Sequence, residues 1–269
     1  MNLHFFGSQI EKPRLGQQRR GASGLRVFAC YADAAETHAH GDAVCVSLAF
    51  RRGHQQVFSG SADNTVKAWD LQQMGYMDTM FGHSDTVAGV AALGRERSLS
   101  CGGQDRSLRL WKVADESQLV FNAYESCVSV DCVAMINEDH FVSGAQNGSI
   151  AVWSAFKKKP VCSVKSAHGE SAAPTWINCL ATRPYTDVVV SGSSDGYVRF
   201  WQVSRDYKSL TEVNRVNLDG FINGSSFSAD GRVLAVAAGR EHRSGRWWTL
   251  KAAKDQICIL PIRATSTST

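Results

Sequence analysis

Histidine, serine and aspartate recur in this 269-residue chain in sets that, met once, would suggest covalent hydrolysis. His83, Ser100 and Asp105 form one set, His168, Ser191 and Asp195 a second, and His40, Ser59 and Asp63 a third. A hydroxyl activated by an imidazole, itself oriented by a carboxylate, is the geometry of acyl transfer. Such a triad is assembled once, beside a cleft. Here the set returns at a near-constant interval, each time ahead of a tryptophan: Trp69, Trp111 or Trp201. Residues repeated together with an architecture belong to that architecture, so these are read as structural. The sequence has no Gly-rich phosphate loop, no metal-ligand cluster and no unique nucleophile–base arrangement. The chain is therefore expected to be non-catalytic, with neither metal nor cofactor.

The tryptophans define the interval. Five segments align on them: SGSADNTVKAW (59–69), SCGGQDRSLRLW (100–111, one residue longer at its start), SGAQNGSIAVW (143–153), SGSSDGYVRFW (191–201) and AAGREHRSGRW (237–247). Trp69, Trp111, Trp153, Trp201 and Trp247 are spaced 42, 42, 48 and 46 residues apart. Six residues before each stands Asp63, Asp105, Asn147, Asp195 or Glu241. An interval of about 40–50 residues is that of a propeller blade. In the second unit VAGVAAL (87–93), RSLSCG (97–102), SLRLWK (107–112) and QLVF (118–121) read as four strands. The alternation in SLRLW and TVKAW turns apolar side chains inward and polar ones outward, as in a half-buried antiparallel strand. Short turns rich in Asp, Asn and Gly join second to third strands, as tight hairpins require. The expected fold is all-β, a propeller with five visible repeats.

Residues 1–24 are basic, polar and aperiodic and are read as disordered, and LRVFACY (25–31) as the outer strand of a preceding blade. Within a propeller domain over 25–263, blades are expected at about 39–81, 82–121, 122–165, 166–215 and 216–263, with 264–269 a loose tail. A seven-bladed ring takes roughly 300 residues at about 42 each, and an open arc exposes unpaired strand edges. The five repeats are thus expected to belong to a larger, seven-bladed ring whose first two blades this chain lacks. With 43% hydrophobic and 20% charged residues the chain can bury a sizeable core. A net charge of +4 permits a polyanionic partner without requiring one. Cys30, Cys45, Cys101, Cys127, Cys132, Cys162, Cys179 and Cys258 form no CxxC pair and lie mostly in apolar runs. They read as small buried hydrophobes in a reducing compartment. The start, MNLHFFGSQIEKPRLGQQRR, has no apolar core of signal-peptide length, and no window of about 20 apolar residues occurs. A soluble intracellular protein is expected.

The unit resembles the WD40 repeat. That resemblance implies a hydrogen-bonded tetrad in each complete blade: His40, Ser59, Asp63 and Trp69; His83, Ser100, Asp105 and Trp111; His168, Ser191, Asp195 and Trp201. A partly buried Asp accepting bonds from His and backbone donors would hold the hairpin turn, and the indole N–H would be satisfied. The third unit lacks the His and carries Asn147 for Asp, and the fifth replaces nearly all of the motif with AAGREHRSGRWW. There Glu241 stands in the Asp position, so a different network is expected to hold the turn, and Trp247 is expected in the core.

Longer stretches are similar to one family, the WD-repeat proteins of the U3 small nucleolar ribonucleoprotein. They are LAFRRGHQQVFSGSADNTVKAWDL (48–71), FGHSDTVAGVAALGRE (81–96), WKVADESQLVF (111–121), INEDHFVSGAQNGSIAVW (136–153), GFINGSSFS (220–228) and EHRSGRWWTLKAAKDQICILPIR (241–263). The resemblance implies a non-catalytic protein of the nucleus and nucleolus that binds the box B/C region of U3 snoRNA. It also implies neighbours among the box C/D core proteins and the small-subunit processome, and a role in pre-rRNA processing toward 18S rRNA.

Candidate RNA contacts are basic residues of the loops. Loops from first to second and from third to fourth strands share one rim, which is expected to carry Arg51, Arg52, Arg95, Arg97, Lys157, Lys158, Lys159, Arg183, Arg205, Lys208, Lys251 and Lys254. The opposite rim is expected to carry Arg106, Arg240, His242 and Arg243. Guanidinium and ammonium groups neutralise phosphates, and Arg planes stack on splayed bases; a solvated charged rim is the plainer alternative. The candidate set is Arg51, Arg52, Lys157, Lys158, Lys159, Arg240, His242, Arg243 and Arg246. Arg243 and Arg246 either bind RNA or pair with Glu241. Trp248, on the face of its strand opposite Trp247, either packs between blades or faces a partner. The competing function is a protein-only adaptor such as a ubiquitin-ligase substrate receptor. Such receptors carry W-D-x-R after the third strand, whereas this chain has WDLQ, WKVA, WSAF, WQVS and WWTL.

Overall fold

The structure, a computed structural model, describes residues 43–123, 127–169 and 175–262. The segment 1–24, the strand expected at 25–31, His40 and the tail 264–269 lie outside the described residues. The rest is strand and turn. β1 (Cys45–Phe50), β2 (Gln56–Ser61), β3 (Val66–Asp70) and β4 (Gly75–Met80) form the first antiparallel sheet. The second holds β5 (Gly89–Ala92), β6 (Arg97–Cys101), β7 (Ser107–Lys112) and β8 (Ser117–Asn122). β9 (Val130–Met135), β10 (His140–Ala145), β11 (Ile150–Ser154) and β12 (Cys162–Val164) make the third. The fourth consists of β13 (Ile177–Thr182), β14 (Val188–Ser193), β15 (Tyr197–Val203) and β16 (Leu210–Asn217). In the fifth, β17 (Phe221–Phe227) and β18 (Val233–Gly239) are separated from β21 (Gln256–Pro261) by a small hairpin, β19 (Glu241–His242) and β20 (Gly245–Thr249).

These are five blades of a β-propeller. Each first strand packs on the next, β1 on β5, β5 on β9, β9 on β13 and β13 on β17; among the described residues no comparable packing joins β17 to β1. Burial falls from the axis outward: β5 is buried throughout, whereas β16 is exposed along nearly its whole length. That gradient explains why the second and third strands carry the apolar alternation and the fourth does not. In the first four blades the turn from second to third strand uses left-handed residues: Asn64 (φ 69°), Gly103 and Arg106 (both φ 56°), Gly148 (φ 77°) and Gly196 (φ 79°). Asx-type bonds brace these turns, with Thr65 N donating to Asp63 Oδ1 at 2.9 Å and Ser149 N to Asn147 Oδ1 at 3.1 Å.

Blade-to-blade contact is tight enough to select single atoms. A Cβ on Gly144 would come within 2.5 Å of Ile177 Cγ2, and one on Gly192 within 2.3 Å of Ile222 Cγ2. Opposite these glycines stand Cys132 and Cys179 on the inner strands. In the second blade the pair is reversed, with Gly89 opposite Cys101. In these three blades the site holds one thiol, on either strand, as close packing demands; the first blade pairs Ser47 with Gly60 there. Burial pushes the Cys101 thiol well above its ordinary value and raises those of Cys132 and Cys179, so these cysteines are inert packing groups.

The fifth blade departs from the sequence alignment. Its third strand is β21, not the segment ending at Trp247. The register pairs Leu234 with Leu260 where the fourth blade pairs Val189 with Trp201. Val236 correspondingly takes the place of Ser191. Without that hydroxyl there is no acceptor for an indole N–H, and leucine fills the space. Trp247, expected in the core, lies on the added hairpin and is 67% exposed.

Candidate nucleic-acid interface

The repeated His, Ser, Asp and Trp residues are wired inside their blades. In the second blade, Trp111 Nε1 donates to Ser100 Oγ at 2.7 Å, and Ser100 Oγ meets His83 Nε2 at 2.7 Å. His83 Nδ1 lies 2.5 Å from Asp105 Oδ2, and Asp105 Oδ1 accepts from Ser107 N at 2.7 Å. The tautomer that satisfies this chain has Ser100 donating to Nε2 and Nδ1–H donating to the carboxylate. The fourth blade repeats it: Trp201 to Ser191 at 2.8 Å, Ser191 to His168 at 2.7 Å, and His168 to both Asp195 oxygens at 3.0 Å. Burial drives the Asp105 and Asp195 carboxyls up, but hydrogen bonds from His83 and His168 and from the turn outweigh it, leaving both below the ordinary value. Ser100 is 0% exposed, so no substrate carbonyl can reach its oxygen. In the first blade, Trp69 Nε1 donates to Ser59 Oγ at 2.8 Å, and in the third Trp153 Nε1 to Ser143 Oγ at 2.8 Å.

The meander within each blade puts the first-to-second and third-to-fourth loops on one rim. Many cations there already serve the protein. Arg51 Nε donates to Gly94 O of the next blade at 2.9 Å, and its Nη1 lies 3.8 Å from Glu96. Arg95 and Arg97 each lie 3.5 Å from Asp139 of the third blade. Glu138 Oε1 accepts from Gly94 N at 3.0 Å, Arg95 N at 3.2 Å and Tyr185 Oη at 2.9 Å, joining three blades. Arg52 is half-buried, and its backbone N–H donates to Leu93 O at 2.9 Å. Lys157, Lys158 and Lys159 are different: all three are exposed, and none is in an ion pair among the described residues. Phe156, just before them, is exposed as well. An aromatic abutting a lysine run in AFKKKP was the available sequence signal, and reading only the charges passed over it.

On the opposite rim the EHRSGRWW stretch turns His242 and Arg243 inward and leaves Glu241, Ser244 and Trp247 exposed. His242 is 4% exposed rather than at the surface, because its ring is enclosed by Trp176 (4.9 Å), Phe221 (5.8 Å) and Trp248 (6.3 Å). Its Nε2 bonds Asn178 Oδ1 at 2.8 Å. Burial, reinforced by the positive charge of Arg243, lowers the imidazole pKa to about 4. Arg243 does not pair with Glu241. Its guanidinium donates to Asn178 O at 2.6 Å and Asp131 O at 2.7 Å, tying the hairpin to the inner strands of the fourth and third blades. Trp248 packs edge-on against Phe221 at 5.0 Å, which is packing rather than display. Arg240 is exposed and sits 3.5 Å from Asp255. Lys251 and Lys254 precede the third strand of their blade, so they belong to this rim and not to the one expected. The side chain of Arg246 lies outside the described residues.

With that geometry in view, the chain can be placed among known proteins. The family model described as "WD domain, G-beta repeat" matches residues 34–70, 75–112 and 159–202. The Homo sapiens protein named U3 small nucleolar RNA-interacting protein 2 is 43% identical over 153 residues, covering 55% of this chain and 32% of its own length. Ribosomal RNA-processing protein 9 of Saccharomyces cerevisiae is 28% identical over 270 residues, covering 75% of this chain and 47% of its own length. A solved structure of U3-55K superposes with a TM-score of 0.78 at 43% identity, over 81% of this chain and 68% of that one. This chain spans about half or less of the length of the curated relatives it matches. It belongs to the WD-repeat family of U3 small nucleolar ribonucleoprotein proteins.

Proposed function

We propose that this chain is a non-catalytic scaffold that binds U3 snoRNA at its box B/C region and works in pre-rRNA processing toward 18S rRNA. Its place would be the nucleolus, beside the box C/D core proteins and other small-subunit processome components. The carrying observation is the 43% identity to U3-55K across most of the chain, with a matching blade geometry. The charge distribution supports the same reading. Lys157, Lys158 and Lys159 offer exposed cations with no ion pair among the described residues, while Arg51, His242 and Arg243 are engaged within the protein. Arg52, Arg240 and Arg246 remain secondary candidates, Arg240 with its Asp255 partner to displace.

Crosslinking in cells followed by sequencing of the bound RNA tests this directly. Enrichment of the box B/C element over other small nucleolar RNAs is the expected result. In vitro, affinity for that element should exceed that for a scrambled RNA and fall steeply with salt, by roughly 0.7–0.9 in log–log slope for each phosphate contact. Equal affinity for scrambled RNA, or weak binding indifferent to salt, would remove the RNA scaffold and leave a protein-only adaptor.

A further inference from the structure

The loop joining β11 to β12 brings an exposed aromatic side chain and a run of three exposed lysines together. Phe156 is 78% exposed, more than any other large hydrophobic side chain among the described residues. Directly after it come Lys157, Lys158 and Lys159, all exposed and outside any ion pair among the described residues. Of the other rim cations, Arg51, Arg95, Arg97, Lys208 and Arg232 each have a carboxylate at 3.5–3.9 Å, while Arg205 is exposed but is not part of a lysine run. The backbone of the loop is pinned at both ends. Ala155 N donates to Asp139 O at 2.8 Å, Lys157 N to Ser154 O at 3.0 Å, and Val161 N to Val152 O at 2.8 Å. The ring is thus presented on a braced turn. A second exposed aromatic, Tyr185 at 63%, borders the same 136–139 loop, its N–H bonded to Ile136 O at 2.7 Å. The acids of that loop are engaged, Glu138 by three donors and Asp139 by two arginines, so they do not cancel the lysines.

We infer that residues 156–159 form a contact for single-stranded nucleic acid, with Phe156 stacked on an unpaired base and the three lysines on the flanking phosphates. This rests on the RNA reading above and adds the strandedness and the stacking residue. A duplex keeps its base faces stacked inside and presents phosphates, sugars and base edges, so an exposed phenyl ring finds no base to stack on. A single strand offers both a π-face and phosphates. An acidic peptide would use the lysines but gives the ring no matching flat surface.

The test measures binding of the full chain to a short unstructured RNA and to the same sequence in a duplex, by fluorescence anisotropy across a salt series. Phe156→Ala should weaken single-strand binding about tenfold, leave duplex binding unchanged and leave the salt slope unchanged. Phe156→Tyr should restore the affinity. Joint replacement of Lys157, Lys158 and Lys159 by Ala should lower the slope by up to about 2. No loss in Phe156→Ala, or equal loss on single strand and duplex, would overturn the stacking contact, while binding by the unaltered chain leaves the RNA reading standing. Absence of RNA binding by the unaltered chain would overturn both. Displacement of the RNA by polyglutamate more strongly than by polyuridylate would reassign the loop to an acidic protein partner.

Discussion

Replacing Asp105 by alanine is the sharpest test of the blade wiring. The carboxylate accepts from three groups: His83 Nδ1, Ser107 N at 2.7 Å and Ser84 N at 3.3 Å. Ser84 is exposed and can turn to water, but His83 and Ser107 are buried. Two buried donors deprived of this acceptor cost up to about 1–3 kcal/mol each, the His83 share being reduced by Ser107 Oγ, which lies 3.3 Å from Nδ1. Part is recovered because the carboxylate's own desolvation disappears, which leaves a loss of about 2–3 kcal/mol. For a chain of this size that lowers Tm by about 4–12 °C. Asn147→Ala supplies the comparison: Asn147 accepts from the backbone and hydroxyl of Ser149, at 3.1 and 2.6 Å, in a blade whose sequence lacks the His. Its expected loss is about 0.5–1 kcal/mol. The pH limb gives a second readout. Asp105 has a lowered pKa in the folded chain, so its contribution is full above the ordinary carboxylate value of 3.8 and fades as pH falls through the folded value. The unaltered chain should lose stability below that pH, and Asp105→Ala should lose less. Melting of Asp105→Ala within error of Asn147→Ala, with hydrogen exchange over 83–107 unchanged, would refute the wiring.

Two further predictions concern packing. His242 stays neutral in the folded chain down to about pH 4, against an unfolded value of 6.5, so unfolding takes up a proton between those values. Stability should therefore rise with pH from about 4 to 6.5, and His242→Gln should flatten that slope in chemical denaturation; an unchanged slope would mean the imidazole is hydrated. The reversed Gly89–Cys101 pair predicts a strong coupling: Gly89→Cys alone should cost about 1–3 kcal/mol by overpacking against Cys101 Sγ, which would sit 3.1 Å from the new Cβ. The double change Gly89→Cys with Cys101→Gly should recover most of it, and additive losses in a double-mutant cycle would show that the two positions do not share one space.

What could be read from the chain tracks how local the interaction is. The tetrads of the second and fourth blades were legible because each lies within one blade, and its four residue types are fixed by a single hydrogen-bond path through Ser100 or Ser191. The Cys/Gly pairing was not, although both residues are in plain view. It depends on Ile177 and Ile222 arriving from the following blade, and the recurrence of the glycine does not say which side chain of the next blade presses on it. The rim cations show the same limit. Arg51 and Lys157 look alike as loop charges, but Arg51 meets a carbonyl and a carboxylate 43 and 45 positions away, and only the folded chain brings those partners near.

The fifth blade shows how a repeat can mislead. AAGREHRSGRW aligns on its tryptophan at an acceptable interval, so periodicity alone assigns Trp247 to the core and the following lysines to the wrong rim. The decisive residue lies upstream. Val236 occupies the position that Ser191 fills in the fourth blade, as the registers of β18 with β17 and β21 establish. A blade without that serine has nothing to accept an indole N–H, and a buried indole without an acceptor is costly. Tryptophan is then excluded from the facing position, and Leu260 fills it. The EHRSGRWW segment, released from the third strand, becomes a hairpin. It turns His242 and Arg243 inward to bind the carbonyls and amide of the inner strands, and leaves Trp247 outside. The serine, more than the tryptophan, marks a complete blade, and the alignment anchored on tryptophan failed in the one unit where the serine is missing.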